Sequence, residues 1–162
     1  MPAKAFTVRA FLNSDGQALA RLHTRAILAT SDEFYTAAER QSWAGTLTAE
    51  GYAKAVAAGE LMEVAVDGGN SPVAFCGRRG GEVLGLYVDP DWQRSGIGHL
   101  LLERAEAAIA AAGGHRTISI KSSQSAVSFY RSCGYAVVSE SPHGTRGGLV
   151  LRSSNLEKLI AK

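Results

Sequence analysis

Apolar and polar residues alternate from Phe6 to Phe11, with Phe6, Val8 and Ala10 set against Thr7, Arg9 and Phe11, and this predicts a first strand. The period then lengthens. Ala18, Leu19, Leu22, Ala26 and Ile27 recur at three-to-four spacing, so a helix is predicted from a cap at Ser14 or Asp15 to about Ala29, with His23 near the edge of the stripe as a packed or solvated residue. Thr36 followed by Glu39 fits a capping box that starts a short helix bearing Trp43, and Thr48 caps another that runs to Ala58 and ends at Gly59. Leu61 to Val66 and Val73 to Arg79 read as strands joined through Asp67-Gly68-Gly69-Asn70, a strong hairpin signal. Gly80-Gly81 turns the chain into a third apolar run, Val83 to Val88, and the three strands predict an antiparallel meander.

The longest amphipathic segment follows. From Ile97, the residues Leu100, Leu101, Ala105, Ala108 and Ile109 share one face of a helix that reaches Ala112, with Glu103, Arg104 and Glu106 turned mostly away. Gly113-Gly114 breaks it, Thr117 to Ile120 reads as a strand, and Ser122 or Ser123 caps a helix that carries Phe129 and Tyr130 to its end at Gly134. Tyr135 to Ser139 and Gly148 to Leu151 predict a closing antiparallel pair, whose connecting loop, with His143 and Arg146, is of the kind that borders a ligand site. The tail from Ser153 to Lys162 reads as a terminal helix that the pattern does not place.

Composition changes this picture in three respects. At 162 residues the chain suits a single domain spanning 1–162, able to bury a core without metal or disulfide staples. A net charge of +2, carried by scattered basic residues, argues against a nucleic-acid surface. Cys76 and Cys133 lack the spacing of a metal or redox site and read as small buried apolar residues, so no metal is expected. Met1-Pro2-Ala3-Lys4 leads straight into a strand with no apolar leader, and no run approaches the roughly 20 residues of a membrane span, so a cytoplasmic protein that avoids membranes is expected.

The candidate chemistry sits between the third meander strand and the long helix, at Gln93-Arg94-Ser95-Gly96-Ile97-Gly98. A helix start leaves backbone N–H groups without partners and carries a partial positive charge, so it attracts phosphate. Two glycines let the backbone approach, a side chain at Gly96 or Gly98 would stand where the phosphate must sit, and Arg94 adds a forked cation. Nucleotide-binding folds of dehydrogenase or NTPase type fit less well. The run Gly96-Ile97-Gly98-His99-Leu100-Leu101 lacks the third glycine of the dinucleotide fingerprint, no Gly-Lys-Ser/Thr loop is present, and a meander precedes the glycine loop.

The segment resembles the acyl-CoA signature of the GNAT superfamily of N-acyltransferases, Q/R-x-x-G-x-G/A, which Gln93, Gly96 and Gly98 fill after a Val-Asp-Pro-Asp-Trp-Gln-Arg lead. A second run, Ala126 to Tyr135, resembles that family's A-x-x-F-Y-x-x-x-G-F/Y segment. The resemblance implies an α+β sandwich whose central, mostly antiparallel sheet of six to seven strands is splayed between strands 4 and 5 and flanked by about four helices. It also implies acetyl-CoA as co-substrate, held by backbone groups of Leu86, Tyr87 and Val88 along its peptide-like arm and by Gln93, Arg94, Ser95, Gly96, Ile97, Gly98 and His99 around its diphosphate. The Val88 amide would polarise the thioester carbonyl, and Tyr130 would protonate the leaving thiolate. Where the family often has asparagine on the cofactor arm, this chain has Ser123.

Glu82 is the carboxylate suited to take the proton of an attacking ammonium. It stands six residues before Val88, where strict alternation puts both on one face, and the spacing resembles that of the glutamate base in the histone acetyltransferase branch. The run from Phe34 to Trp43 resembles the H-Y-S-x-x-Q-x-x-x-W region of a bacterial branch that includes YafP-like acetyltransferases, with Phe34 in place of the histidine. On that resemblance Tyr35 and Trp43 face the acceptor, with core packing as the other reading of Trp43. Together with Tyr87 they suggest an apolar or aromatic amine, and Arg146 an acidic group on it. The expected activity is therefore N-acetyl transfer to a primary amine of a small molecule or peptide. The alternative is a non-catalytic acyl-CoA sensor, and a homodimer through edge strands stays open beside a monomer.

Overall fold

The alternating and three-to-four patterns resolve into one sheet with helices on both faces. The computed structural model describes residues 4–45, 47–145 and 147–160. Among these, the strands are β1 (Thr7–Ala10), β2 (Leu61–Val66), β3 (Pro72–Arg79), β4 (Glu82–Val88), β5 (Thr117–Ser123), β6 (Ala136–Gly144) and β7 (Val150–Leu159). The helices are α1 (Gly16–Leu28), α2 (Ala37–Ala44), α3 (Ala49–Ala57), α4 (Ile97–Ala112) and α5 (Val127–Ser132). The seven strands pair in the order β1-β2-β3-β4-β5-β7-β6, every junction antiparallel except β4 with β5.

Local chemistry sets the turns. Asp67 Oδ1 accepts from the N–H groups of Gly69 and Ser71, and Asn70 takes a φ of 65°, which closes the β2–β3 hairpin. The capping box forms as expected: Glu39 N–H donates to Thr36 Oγ1 at 3.1 Å and Thr36 N–H to Glu39 Oε1 at 2.9 Å.

The two faces of the sheet bury different clusters. Cys76, Val83, Ile118, Ile120 and Leu156 pack against Leu101, Leu102 and Ile109 of α4 and against Tyr130 and Tyr135, while Val64, Val66 and Phe75 pack against Leu19, Leu22 and Tyr52 of α1 and α3. Each aliphatic side chain fully buried in this way contributes about 1.5–3 kcal/mol. Among the described residues no helix is long and apolar enough to cross a membrane.

Three expectations are corrected here. The tail is no terminal helix: Val150–Leu159 forms β7, inserted between β5 and β6. Its strand pattern was masked because Ser153 and Ser154 occupy buried positions, where the Ser153 hydroxyl donates to the Ser141 carbonyl (3.0 Å) and Gln124 Nε2 donates to Ser154 Oγ (3.1 Å). The expected loop from Ser141 is strand as far as Gly144, with His143 paired to Leu151, and Arg146 lies outside the described residues. Cys76 is buried, and desolvation pushes its thiol up to about 12, but Cys133 is half-buried with its Sγ 3.4 Å from His99 Nδ1.

Candidate active site

The site begins where the sheet comes apart. β4 and β5 are in register only at Glu82–Ser119 and Val83–Ile120. Beyond Val83 the two diverge, and a cleft of about 760 Å³ opens between them, walled by Leu86, Tyr87 and Val88, by Ser123, Phe129 and Tyr130, and by the start of α4. Asp89 N–H donates across to the Val73 carbonyl at 2.8 Å, so alternation turns the backbone of Val88 to the opposite, open edge. There the Val88 carbonyl accepts from Gln93 Nε2 at 3.4 Å. Leu86 shares that orientation, so its main-chain groups and the Val88 N–H are left for an extended, amide-bearing ligand to add as a strand.

The start of α4 forms the mouth of the cleft. Its first helical bond runs from Leu100 N–H to the Gly96 carbonyl at 3.1 Å, and among the described residues the N–H groups from Gln93 to His99 donate to no protein acceptor. Gly96 caps the helix with a φ of 85°, a left-handed conformation that suits glycine, and Arg94 shares that region at 61°. A Cβ on Gly98 would sit 3.4 Å from the Phe129 ring and 3.8 Å from Val88 Cγ2, so only glycine keeps this floor fully open. Gln93, Arg94 and His99 are exposed beside it and Ser95 is half-buried, whereas Ile97 is buried and contributes its amide alone. Unpaired amides at a helix start, a bare floor and an adjacent guanidinium fit a diphosphate.

Tyr130 closes the inner end. Tyr130 is 5% exposed and packs against Phe129 and Tyr135, yet it lines the cleft, and its hydroxyl bonds to no described residue. Burial raises its pKa above that of an ordinary phenol, so the group stays a proton donor. Ser123 also lines the cleft, its hydroxyl 2.9 Å from that of Ser125.

Glu82 departs from the expected geometry. The β3–β4 register shifts between Gly77 and Arg78, so Leu84 is an extra residue in a β-bulge. One inserted residue reverses the alternation: Val83, Leu86 and Val88 share the α4 face, and Glu82, Leu84 and Tyr87 the other. Glu82 therefore points to the face opposite the Val88 side chain, into a chamber of about 200 Å³ that it lines with Tyr35, Trp43, Lys121 and His143. A second chamber of about 330 Å³ lies beside it, under α1 and α3. Trp43 and Tyr87 line both chambers and the cleft, so they stand at the junction of all three.

Tyr35 serves the frame as well as the chamber. Its hydroxyl accepts from Gln124 N–H at 2.7 Å and donates to the Arg152 carbonyl at 3.2 Å, tying the segment before α2 to β7 and to the end of β5. Burial raises its pKa. Tyr35→Phe is expected to destabilise the fold by about 1 kcal/mol, because the half-buried Gln124 amide loses its acceptor. The drop would appear as a lower urea midpoint at unchanged m-value.

Some of the site lay outside the sequence reading. The segment after α1 lines the cleft through Ala29, Thr30 and Ser31, and Arg25 braces it against the β4–α4 loop by donating to Asp89 (3.0 Å) and Asp91 (3.2 Å). In the sequence the Asp89-Pro90 pair closes an apolar run and gives no sign of this brace. His23 is packed as expected, its Nδ1 2.9 Å from the Tyr52 hydroxyl and its ring 3.9 Å from that of Tyr87.

Residues 15–152 match the family model described as an acetyltransferase (GNAT) domain. Three solved structures share the architecture. A GCN5-related N-acetyltransferase from Rhodopseudomonas palustris is 23% identical, with 98% of each chain covered and a TM-score of 0.85. The PaiA N-acetyltransferase of Thermoplasma acidophilum, in complex with coenzyme A, is 20% identical over 96% of this chain and 99% of that one, with a TM-score of 0.74. A phosphinothricin acetyltransferase from Sinorhizobium meliloti, in complex with acetyl-CoA, is 16% identical over 96% and 89%, with a TM-score of 0.70. At these identities the likeness is one of fold. No curated protein matches significantly.

Proposed function

The chain belongs to the GNAT acetyltransferase family, and on that premise we propose that it moves an acetyl group from acetyl-CoA directly to a primary amine of a small molecule or peptide. The observation that carries this reading is the parting of β4 from β5, which leaves the Val88 backbone facing a cleft whose mouth is the unpaired amides at the start of α4. Two of the structures that share the fold hold coenzyme A or acetyl-CoA.

When bound, acetyl-CoA supplies an activated thioester carbonyl. The amides from Arg94 to His99 and the Arg94 side chain hold the diphosphate, and Leu86 and Val88 pair with the arm beside Ser123. The Val88 N–H polarises the carbonyl as charge develops on its oxygen. Tyr130 donates its proton to the departing sulfur. The acceptor enters from the opposite face, past Tyr35 and Trp43, where Glu82 removes the ammonium proton directly or through water.

Within the family we group the chain with the bacterial branch that includes YafP-like acetyltransferases, on the spacing of Tyr35 and Trp43. A cytoplasmic location belongs to the same reading. A homodimer stays open, with β1 and β6 the outer strands of the sheet.

Glu82→Gln is expected to lower kcat/KM about 100-fold at neutral pH. An alkylammonium has a pKa near 10, so the deficit shrinks as the medium itself deprotonates the acceptor at alkaline pH. The pH profile of thiol release measures this, and a deficit that stays constant with pH removes Glu82 from the role. Calorimetry with acetyl-CoA followed by thiol release across an amine panel tests the whole reading. Tight binding with no acceptor-stimulated release, unaltered in Tyr130→Phe, would make the protein a sensor of acyl-CoA.

A further inference from the structure

We propose that the chamber under α1 and α3 selects a diamine, or another amine bearing a second cation, whose remote ammonium pairs with Glu60 while the near one is acetylated. The inference rests on the acetyl-transfer reading above and extends it to the substrate class.

The walls of this chamber are aromatic. Trp43, Tyr52, Phe75 and Tyr87 surround about 330 Å³, and the carboxylate of Glu60 enters it just after α3. Part of its floor is bare backbone, because Gly77 of β3 pairs with Gly85 of β4. A Cβ on Gly77 would collide with the Glu60 carboxyl, whose Cδ lies 2.8 Å from that position, and a Cβ on Gly85 would press on the Tyr87 ring at 3.3 Å. Glycine inside a strand weakens it and often marks a place where another group must come close. Two such residues side by side, under one carboxylate, make a slot.

The carboxylate is held in that slot without a partner of its own. It accepts no hydrogen bond among the described residues, and only the charge of Arg79 acts favourably on it. Burial raises its pKa above the ordinary glutamate value. A half-buried carboxylate gains when an ammonium arrives, and the aromatic lining of the chamber suits the same cation. Glu82 lines the neighbouring chamber, so proton removal and charge recognition fall to different carboxylates.

The chamber reaches the reacting end at Tyr87 and Trp43, which also line the cofactor cleft. From Val88 back to Gly85 the strand rises by roughly 10 Å, at about 3.3 Å per residue. That length sets the separation of the two nitrogens.

Initial rates of thiol release from acetyl-CoA with α,ω-diaminoalkanes of increasing length, each against the n-alkylamine of equal length, test the inference. A charge-assisted pair contributes about ten- to a hundredfold. The expected result is a diamine-to-monoamine ratio of kcat/KM of at least about tenfold, peaking at one chain length. The ratio should collapse to near one in Glu60→Gln and peak at a longer diamine in Glu60→Asp. Monoamines and diamines used equally well, or a diamine preference that survives Glu60→Gln, overturn the inference and leave acetyl transfer standing. Equal loss of both amine classes in both Glu60 variants shows a structural role and also overturns it. No release with any amine sinks the acetyl-transfer reading and the inference together.

Discussion

Tyr130→Phe is expected to lower kcat by about 100- to 10,000-fold, the usual contribution of a positioned proton donor. That is roughly 3–5 kcal/mol at 1.36 kcal/mol per decade. The substitution keeps the ring, and with it the edge-on packing against Phe129 (centroids 5.2 Å) and Tyr135 (5.9 Å). No described residue bonds to the hydroxyl, so its loss leaves no protein group unpaired, and the melting temperature should hold. Acetyl-CoA affinity should stay within a few fold, because the amides at the start of α4 are untouched. Burial keeps the phenol protonated throughout the working range, so the deficit should be constant with pH. This separates it from the Glu82→Gln deficit, which fades at alkaline pH. Steady-state thiol release between neutral and alkaline pH reads both behaviours. A fall in kcat of less than tenfold would move the acid role to another group.

The same residues show what a sequence reveals of such a site. Gln93, Gly96 and Gly98, which we propose as diphosphate contacts, stand out in the sequence because glycine loop and helix start coincide in one short run, and Tyr130, the proposed acid, because its neighbours form a second one. The β2–β3–β4 meander and α4 follow from periodicity and turn residues alone, since each is a local arrangement. What stayed hidden depends on pairing between distant segments. Nothing in β4 or β5 announces that they share only the Glu82–Ser119 and Val83–Ile120 pairs, yet that parting makes the cleft. The Leu84 bulge reversed the face expected for Glu82, because alternation counted along one strand cannot see an extra residue against its partner. Arg25 and Asp89 lie 64 positions apart, and no period links them. Glu60 belongs to no motif or period in the sequence, and only the bare backbone of Gly77 opposite its carboxylate singles it out.

Coenzyme A binding is expected to fall at least 100-fold in Gly98→Val, with no loss of fold stability. The two glycines of the loop are needed for different reasons. Gly96 has a φ of 85°, so any side chain there strains the backbone whatever surrounds it. Gly98 lies inside the first turn of α4, where valine is tolerated as well as glycine or slightly better. Its constraint is space: the Cβ itself would meet Phe129 at 3.4 Å, an ordinary contact, but two further methyl groups must spread into the cleft where the diphosphate would lie. Displacing the anion from two amides removes charge-assisted bonds of about 1.5–3 kcal/mol each. A hundredfold loss is about 2.7 kcal/mol, so even the lower bound is enough. Gly98→Ala, which adds the Cβ alone, should lose far less. Titration calorimetry with coenzyme A, beside thermal unfolding of the same variants, separates blocked binding from damage to the fold. A valine variant that melts normally and binds coenzyme A as tightly as the parent would place the diphosphate elsewhere, and the assignment of Arg94 to His99 as its cradle would fall with it.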